Sequence, residues 1–188
     1  MIIYLHGFRS GPRSFKAMAV HAALTRLGQG ANYFCPQLPA EPLAAMDLVE
    51  RAVAACAAPP TLVGSSLGGF YATWLAERHN CRAVLLNPAV IAPISLEKYI
   101  GPQTNLYTGE IFDFTAQHLE QLRGLEVVRI TRPERYLLVV ETGDELLDYR
   151  AAVERYMGAN MIVRAGGDHS LASFSEHLPA ILKFAGLS

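Results

Sequence analysis

Three short stretches of this 188-residue chain carry residues whose types and order suit acyl chemistry at a serine. The first is Gly64-Ser65-Ser66-Leu67-Gly68-Gly69, with an apolar run, Thr61–Gly64, leading into it and a helix-length segment, Leu67–Arg78, leading out. A G-x-S-x-G sequence between a strand and a helix puts its central serine on a sharp, strained turn, with the hydroxyl thrust clear of the sheet. Gly64 and Gly68 bracket Ser66 symmetrically, so Ser66 rather than Ser65 is the candidate nucleophile. A glycine-rich turn of this kind can also hold a phosphate at a helix N-terminus. No Gly-Lys-Ser/Thr follows, so a P-loop is not supported.

A serine hydroxyl becomes a useful nucleophile when a base takes its proton, and the base needs a third group to fix its tautomer and stabilise its charged form. The histidines are His6, His21, His79, His118, His169 and His177. Only His169, in Gly166-Gly167-Asp168-His169, falls in a loop after a late strand; His177 sits inside the last helix, where a surface or capping role is expected. The acid candidate is Asp144 in Thr142-Gly143-Asp144-Glu145, directly after the strand Tyr136–Glu141. One helix and one strand fit between Asp144 and His169, which brings their loops side by side, and Ser–Asp–His is the chain order that a serine on such a turn uses. Asp148 is a rival but reads as the N-cap of the next helix; Glu145 and Asp168 are weaker rivals.

The third stretch, His6-Gly7-Phe8, ends the first strand. There the Phe8 N–H, paired with the N–H of Leu67 after the nucleophile, is placed to receive an oxyanion. Gly7 permits close approach of the substrate, and His6 reads as a structural residue holding the loop by hydrogen bonds. Arg9 either reaches the rim of the substrate pocket or is solvated.

The remaining chain must position these loops. Ile2–His6, Asn32–Cys35, Thr61–Gly64, Arg82–Asn87, Tyr136–Glu141 and Met161–Arg164 read as strands. Arg13–Leu27, Leu43–Ala57, Leu67–Arg78, Asp148–Met157 and Ser173–Ala185 read as helices. Such alternation predicts an α/β fold with a mostly parallel six-stranded sheet, right-handed crossovers and helices on both faces. Pro88 to about Thr131 is too long for a simple loop. Its helical stretch Phe114–Leu122 and a short strand at Val127–Ile130 suggest an insertion over the C-terminal edge of the sheet, where ligands bind in such folds. Leu106 and Tyr107 within it are the better pocket-wall candidates; Phe8, Phe70, Tyr71 and Ile91 are others, and Trp74 reads as core.

Composition narrows the partners. With 51% hydrophobic and 18% charged residues, the chain has ample apolar side chain to offset the entropy of ordering. Sixteen Lys+Arg against 17 Asp+Glu, a net charge of -1, argues against nucleic acid and against polybasic membrane docking. The richest apolar stretch, Ala83 to Ile94, is interrupted by Asn87, Pro88 and Pro93, and Met1–Leu5 reaches His6-Gly7 without a basic leader, so no membrane insertion and a cytoplasmic location are expected. Cys35, Cys56 and Cys81 are too widely spaced for a disulfide framework or a metal site, and reduced, mostly buried thiols are expected. Arg123, Arg129, Arg132 and Arg135 read as a solvated basic loop rather than as phosphate contacts.

Together these residues resemble the α/β-hydrolase superfamily over nearly the whole chain, and within it the small bacterial YqiA-type esterases. The resemblance is carried by Tyr4-Leu5-His6-Gly7-Phe8, Pro36-Gln37-Leu38-Pro39, the serine turn extended from Val63 through Trp74-Leu75, Asn87-Pro88-Ala89-Val90 and Tyr107-Thr108-Gly109. Thr142-Gly143-Asp144-Glu145, Leu147-Asp148-Tyr149-Arg150 and Gly166-Gly167-Asp168-His169 complete it, with Asp168 where Asn is also familiar. It implies a minimal α/β-hydrolase fold in one domain over residues 1–188, with strand order 2-1-3-4-5-6. It also implies a Ser66–His169–Asp144 triad acting on a small-molecule ester or thioester, acyl-CoA thioesters among the candidates, with no metal or organic cofactor. A non-catalytic ligand-binding relative, or an acyltransferase or peptidase with the same triad, are the alternatives.

Overall fold

The computed structural model describes residues 1–187. Its strands are β1 (Ile2–Leu5), β2 (Tyr33–Phe34), β3 (Thr61–Ser65), β4 (Arg82–Leu86), β5 (Gly101–Thr104), β6 (Ile111–Phe114), β7 (Tyr136–Glu141) and β8 (Asn160–Arg164). The helices are α1 (Phe15–Arg26), α2 (Pro42–Ala54), α3 (Leu67–His79), α4 (Ala92–Leu96), α5 (Ala116–Gly124), α6 (Tyr149–Arg155) and α7 (Phe174–Phe184). Six strands form one sheet in the order β2-β1-β3-β4-β7-β8, every neighbouring pair parallel, as the alternation predicts.

Strand periodicity divides the core into two layers. Ile2, Tyr4, Val63, Val84, Leu137 and Val139 face one side of the sheet, where α1 (Val20, Leu24) and α7 (Phe174, Ile181) cover them. Ile3, Leu5, Leu62, Leu85, Leu138 and Val140 face the other, under α2 (Met46, Val49) and α3 (Phe70, Leu75), with α5 (Leu119, Leu122) in the same cluster. A sheet covered on both faces explains why β3 and β7 are buried along their whole length and are mostly apolar.

The structure departs from the sequence expectations in specific places. The second strand is shorter than Asn32–Cys35: Asn32 ends a 3-10 turn, and only Tyr33 and Phe34 pair with β1. Val127–Ile130 is not a strand; Ile130 inserts singly into the core, while Val128 is 76% exposed. The insertion instead carries α4 and an antiparallel hairpin, β5–β6, in the register Gly101↔Phe114 to Thr104↔Ile111. That hairpin has no apolar alternation to announce it, because Pro102 and Gln103 fill the middle of its first strand. Only Cys81 of the three free cysteines is buried; Cys35 and Cys56 are half-buried. Arg135 is not solvated: it is buried, bonds Asn80 Oδ1 at 2.5 Å and pairs with Glu77 at 3.6 Å, tying the C-terminal end of α3 to the start of β7. Among the described residues, no helix is long and apolar enough to cross a membrane.

The tightest packing lies beneath the serine turn. A Cβ on Gly68 would stand 1.9 Å from the Leu5 carbonyl oxygen, and one on Gly64 would stand 2.2 Å from the Gly68 carbonyl oxygen. The first turn of α3 therefore rests directly on the ends of β1 and β3. Gly68→Ala should destabilise the protein by about 3 kcal/mol or more, since rigid backbone blocks the added methyl. Urea denaturation monitored by circular dichroism measures this, and an unchanged midpoint would refute the backbone contact.

Candidate active site

Ser66 links β3 to α3 at φ 54° and ψ −119°, a strained conformation for a residue with a side chain. Its neighbours hold it there. The Ser66 N–H donates to Leu86 O at 3.0 Å, and its carbonyl accepts from the Gly69 and Ala89 N–H groups at 2.9 and 3.1 Å. The strand–turn–helix context expected from Gly64–Gly69 is thus present, with the serine at the C-terminal edge of the sheet.

The loops after β7 and β8 bring the other two residues to it. His169 Nε2 lies 3.0 Å from Ser66 Oγ, and His169 Nδ1 lies 2.8 Å from Asp144 Oδ2. An ionised carboxylate only accepts hydrogen bonds, so Nδ1 carries the imidazole proton and Nε2 presents a lone pair to the serine hydroxyl. Asp144 Oδ1 also accepts the Leu146 and Leu147 N–H groups, both at 2.9 Å, which fixes the carboxylate. The Asp144 side chain is 2% exposed against 19% for His169, so their contact is largely shielded from water. The rival acids have other partners. Asp148 caps α6 through the Arg150 N–H, Glu145 accepts the His169 N–H, and Asp168 accepts from the Ser170 hydroxyl. His177 bonds Ser173 at the start of α7, away from Ser66.

The loop after β1 completes the setting. A Cβ on Gly7 would sit 3.3 Å from Ser66 Cβ, so only a glycine leaves the serine this much room. Phe8 N–H has no protein partner among the described residues. Leu67 N–H, at the first helical position of α3, has none within its own helix. Two free amides thus flank the serine. The Phe8 ring anchors its loop against Phe114, Tyr99 and Phe112 at centroid distances of 5.0, 5.6 and 5.9 Å. Arg9 reaches the cleft rather than bulk solvent: at φ 58° its Nε donates to Thr104 O of β5 at 3.0 Å, and its carbonyl accepts the Leu106 N–H at 2.8 Å.

A cavity of about 320 Å³ opens at Ser66 and His169, walled by Leu67, Leu96, Tyr99, Leu106 and Leu147. Of the expected wall residues, Phe8 and Leu106 line it; Tyr107 borders an adjoining cleft. Phe70 and Tyr71 are buried in the core, Trp74 packs against it, and Ile91 belongs to a separate groove.

Two residues to which the sequence motifs assigned no role hold the His169 loop. Asn87, at φ 41° just past β4, donates from Nδ2 to the carbonyls of Asp168 and His169 at 3.0 and 3.3 Å. Its Oδ1 accepts the Glu141 N–H at 3.0 Å. Glu141, fully buried at the end of β7, accepts the Asp168 N–H at 2.8 Å and also bonds the Ser173 hydroxyl. Each carried a signal: a polar residue closes an otherwise apolar strand. Gly167 fits beneath them because a Cβ there would fall 2.0 Å from Glu141 Oε2.

A parallel sheet in this order, with a serine on a strand–turn–helix elbow at its C-terminal edge, is the α/β-hydrolase fold. The chain belongs to the uncharacterised protein family UPF0227, whose model matches residues 1–186, in keeping with the YqiA-type motifs. Among solved structures it is similar to mouse α/β hydrolase domain-containing protein 10, at 20% identity and a TM-score of 0.68, over 97% of this chain and 87% of that one. The esterase domain of a Rhodothermus marinus protein matches at 19% identity and TM-score 0.68, covering 98% and 85% of the two chains. The Paleococcus ferrophilus monoacylglycerol lipase matches at 16% identity and TM-score 0.65, covering 100% and 94%. At these identities the likeness is one of fold.

His6 supports the β1 loop as its sequence position suggests. Its Nδ1–H donates to Gly7 O at 2.9 Å, and Nε2 accepts the Leu38 N–H at 3.0 Å, an arrangement open only to the neutral ring. Burial pulls its pKa below the ordinary 6.5, and the Gly7 hydrogen bond offsets this in part. The unfolded chain therefore binds a proton at His6 that the folded protein refuses. This stability is complete above about pH 6.5 and declines as pH falls below it. The melting temperature should drop between pH 7 and 5, and His6→Gln should show a smaller drop. An equal drop in both proteins would contradict the role of His6.

Proposed function

We infer that the protein is a serine hydrolase of carboxylic esters or thioesters. The observation that carries this reading is the hydrogen-bonded line Ser66 Oγ–His169–Asp144, at 3.0 and 2.8 Å, opening on an apolar cavity. In the proposed reaction Ser66 Oγ attacks the acyl carbon while His169 Nε2 takes the hydroxyl proton. Asp144 keeps the imidazole in the required tautomer and stabilises the imidazolium. The negative charge that develops on the carbonyl oxygen is met by the Phe8 and Leu67 amides. When the carbon–oxygen or carbon–sulfur bond breaks, the imidazolium returns its proton to the leaving alcohol or thiol, and an acyl-enzyme remains. Water then attacks that acyl-enzyme with His169 again as base, releasing the acid and restoring Ser66. His169 mediates every proton transfer in the scheme, the last returning to Ser66 Oγ the proton taken from water.

The names of two structural relatives, an esterase domain and a monoacylglycerol lipase, agree with an ester substrate. Gly7, Arg9, Leu106 and Tyr107 are the proposed substrate contacts. Leu106 projects at the mouth with 70% exposure, which suits a residue that becomes covered when substrate binds.

Ser66→Ala should lower kcat/KM for 4-nitrophenyl butyrate by about 10⁶-fold, the scale of removing a triad nucleophile. Its circular dichroism spectrum and cooperative melting should remain those of a folded protein. Residual hydrolysis within tenfold of the parent would remove Ser66 from the nucleophile's role.

A further inference from the structure

The cavity described above is only one side of the space around Ser66. A second cleft of about 460 Å³ shares Phe8, Ser66, Leu106 and His169 with it and runs toward the N-terminal end of α1. The two differ in chemistry. The first is walled by leucines and a tyrosine, with Arg9, Ser95 and Lys98 also in its lining, but there Arg9 Nε is engaged by Thr104 O and Lys98 lies over the Tyr99 ring at 5.2 Å. The second adds Ser10, Ser14, Lys16, Ser65 and Tyr4, beside Phe15 and Tyr107.

Three features of the second cleft ask for a ligand with negative charge. Lys16 Nζ donates to Ser170 O at 2.6 Å, and no carboxylate among the described residues lies within ion-pair reach, leaving two ammonium protons uncommitted. The first turn of α1 reaches the same cleft through Ser14, Phe15 and Lys16; it has no side-chain cap and no acidic residue, so its free amides favour an anion. Tyr4, 1% exposed, has a buried hydroxyl with no hydrogen-bond partner; Ser65 is close but outside bonding geometry. A buried hydroxyl left unpaired is unfavourable unless a ligand or water reaches it. Burial lowers the Lys16 pKa, opposed in part by Asp168, Glu141 and Asp144.

We propose that this cleft is a leaving-group subsite, in which Lys16 pairs with a carboxylate or phosphate on the departing alcohol or thiol while the leucine-walled cavity holds the acyl group. The proposal rests on the hydrolase reading above. It divides the substrate at Ser66 into an apolar half and a short anionic half, with the charge close to the scissile bond. Because His169 borders both clefts, the same imidazole reaches the leaving atom from either side.

The test compares phenyl butyrate with its 3-carboxy and 3-phosphonooxy derivatives, whose acyl halves are identical. With the parent protein, kcat/KM should favour at least one anionic ester about tenfold, the scale of one partly desolvated ion pair, and the larger gain names the preferred anion. Lys16→Met should bring that ratio to about one, and Lys16→Arg should keep most of it. Lys16 also touches Ser170, so absolute rates can fall for all three esters together; the ratio isolates the subsite. No preference in the parent, or the same preference in Lys16→Met, overturns the proposal. Failure of the hydrolase reading looks different, as no turnover of any of the three esters. The subsite is then judged by calorimetric binding of 3-hydroxybenzoate and 3-hydroxyphenyl phosphate. Binding lost in Lys16→Met supports it, and no binding or unchanged binding overturns it.

Discussion

Everything at this site depends on how closely three backbones approach one another beneath Ser66. The first turn of α3 sits on the ends of β1 and β3 with no space for a side chain at Gly64 or Gly68. That contact fixes the direction in which α3 leaves the sheet. It also forces Ser66 into a positive φ, and a hydrogen bond from its N–H to Leu86 O and one from the Ala89 N–H to its carbonyl hold it there. The strain is local, but it sets the geometry of the site: the serine hydroxyl stands clear of the sheet edge, 3.0 Å from His169 Nε2. The buried parallel strands of both core layers supply the rigidity that keeps this strained turn in place.

The second requirement is a histidine held in one orientation at the end of a flexible-looking, glycine-rich loop. Glycines at 166 and 167 allow the turn, each at positive φ, but provide no restraint. Restraint comes from below, where Asn87 donates to two carbonyls of the loop and Glu141 accepts one of its N–H groups. Both residues sit at the C-terminal ends of central strands, β4 and β7, so the sheet itself sets the height of His169. Asp144 works from the adjacent loop, and its carboxylate is fixed in turn by two backbone amides. Asn87 and Glu141 are themselves buried, so these loop hydrogen bonds are made in low-dielectric surroundings.

Much of this was legible in the sequence because it is written locally. The order of strands, the serine turn and the two loops bearing Asp144 and His169 all follow from short motifs and from alternating apolar runs and helical segments. His6, Asp148 and His177 also behave as their positions suggest: a loop support, a helix cap and a bond near the start of α7. What escaped is set by tertiary context. The β5–β6 hairpin has Pro102 and Gln103 where alternation would be sought, and it is positioned by Arg9, Ser10 and Arg13 bonding its far end. Arg135 reads as a surface charge until α3 supplies Glu77 and Asn80. Glu141 reads as the polar end of a strand until Asp168 and Ser173 close over it.

The insertion thus has a defined place in the account. Its hairpin packs on the loop after β1 through Phe112, Phe114 and Phe8, and Tyr99 and Leu106 wall the cavity at Ser66. The central claim is that Ser66 is an activated nucleophile because His169 accepts its proton. The most direct measurement is mass spectrometry after brief exposure of the folded protein to a fluorophosphonate probe. The account predicts one covalent adduct, on the peptide that contains Ser66, lost when the protein is denatured before labelling and when His169 is replaced by alanine. No adduct on the folded protein, or an adduct on another residue, would contradict it.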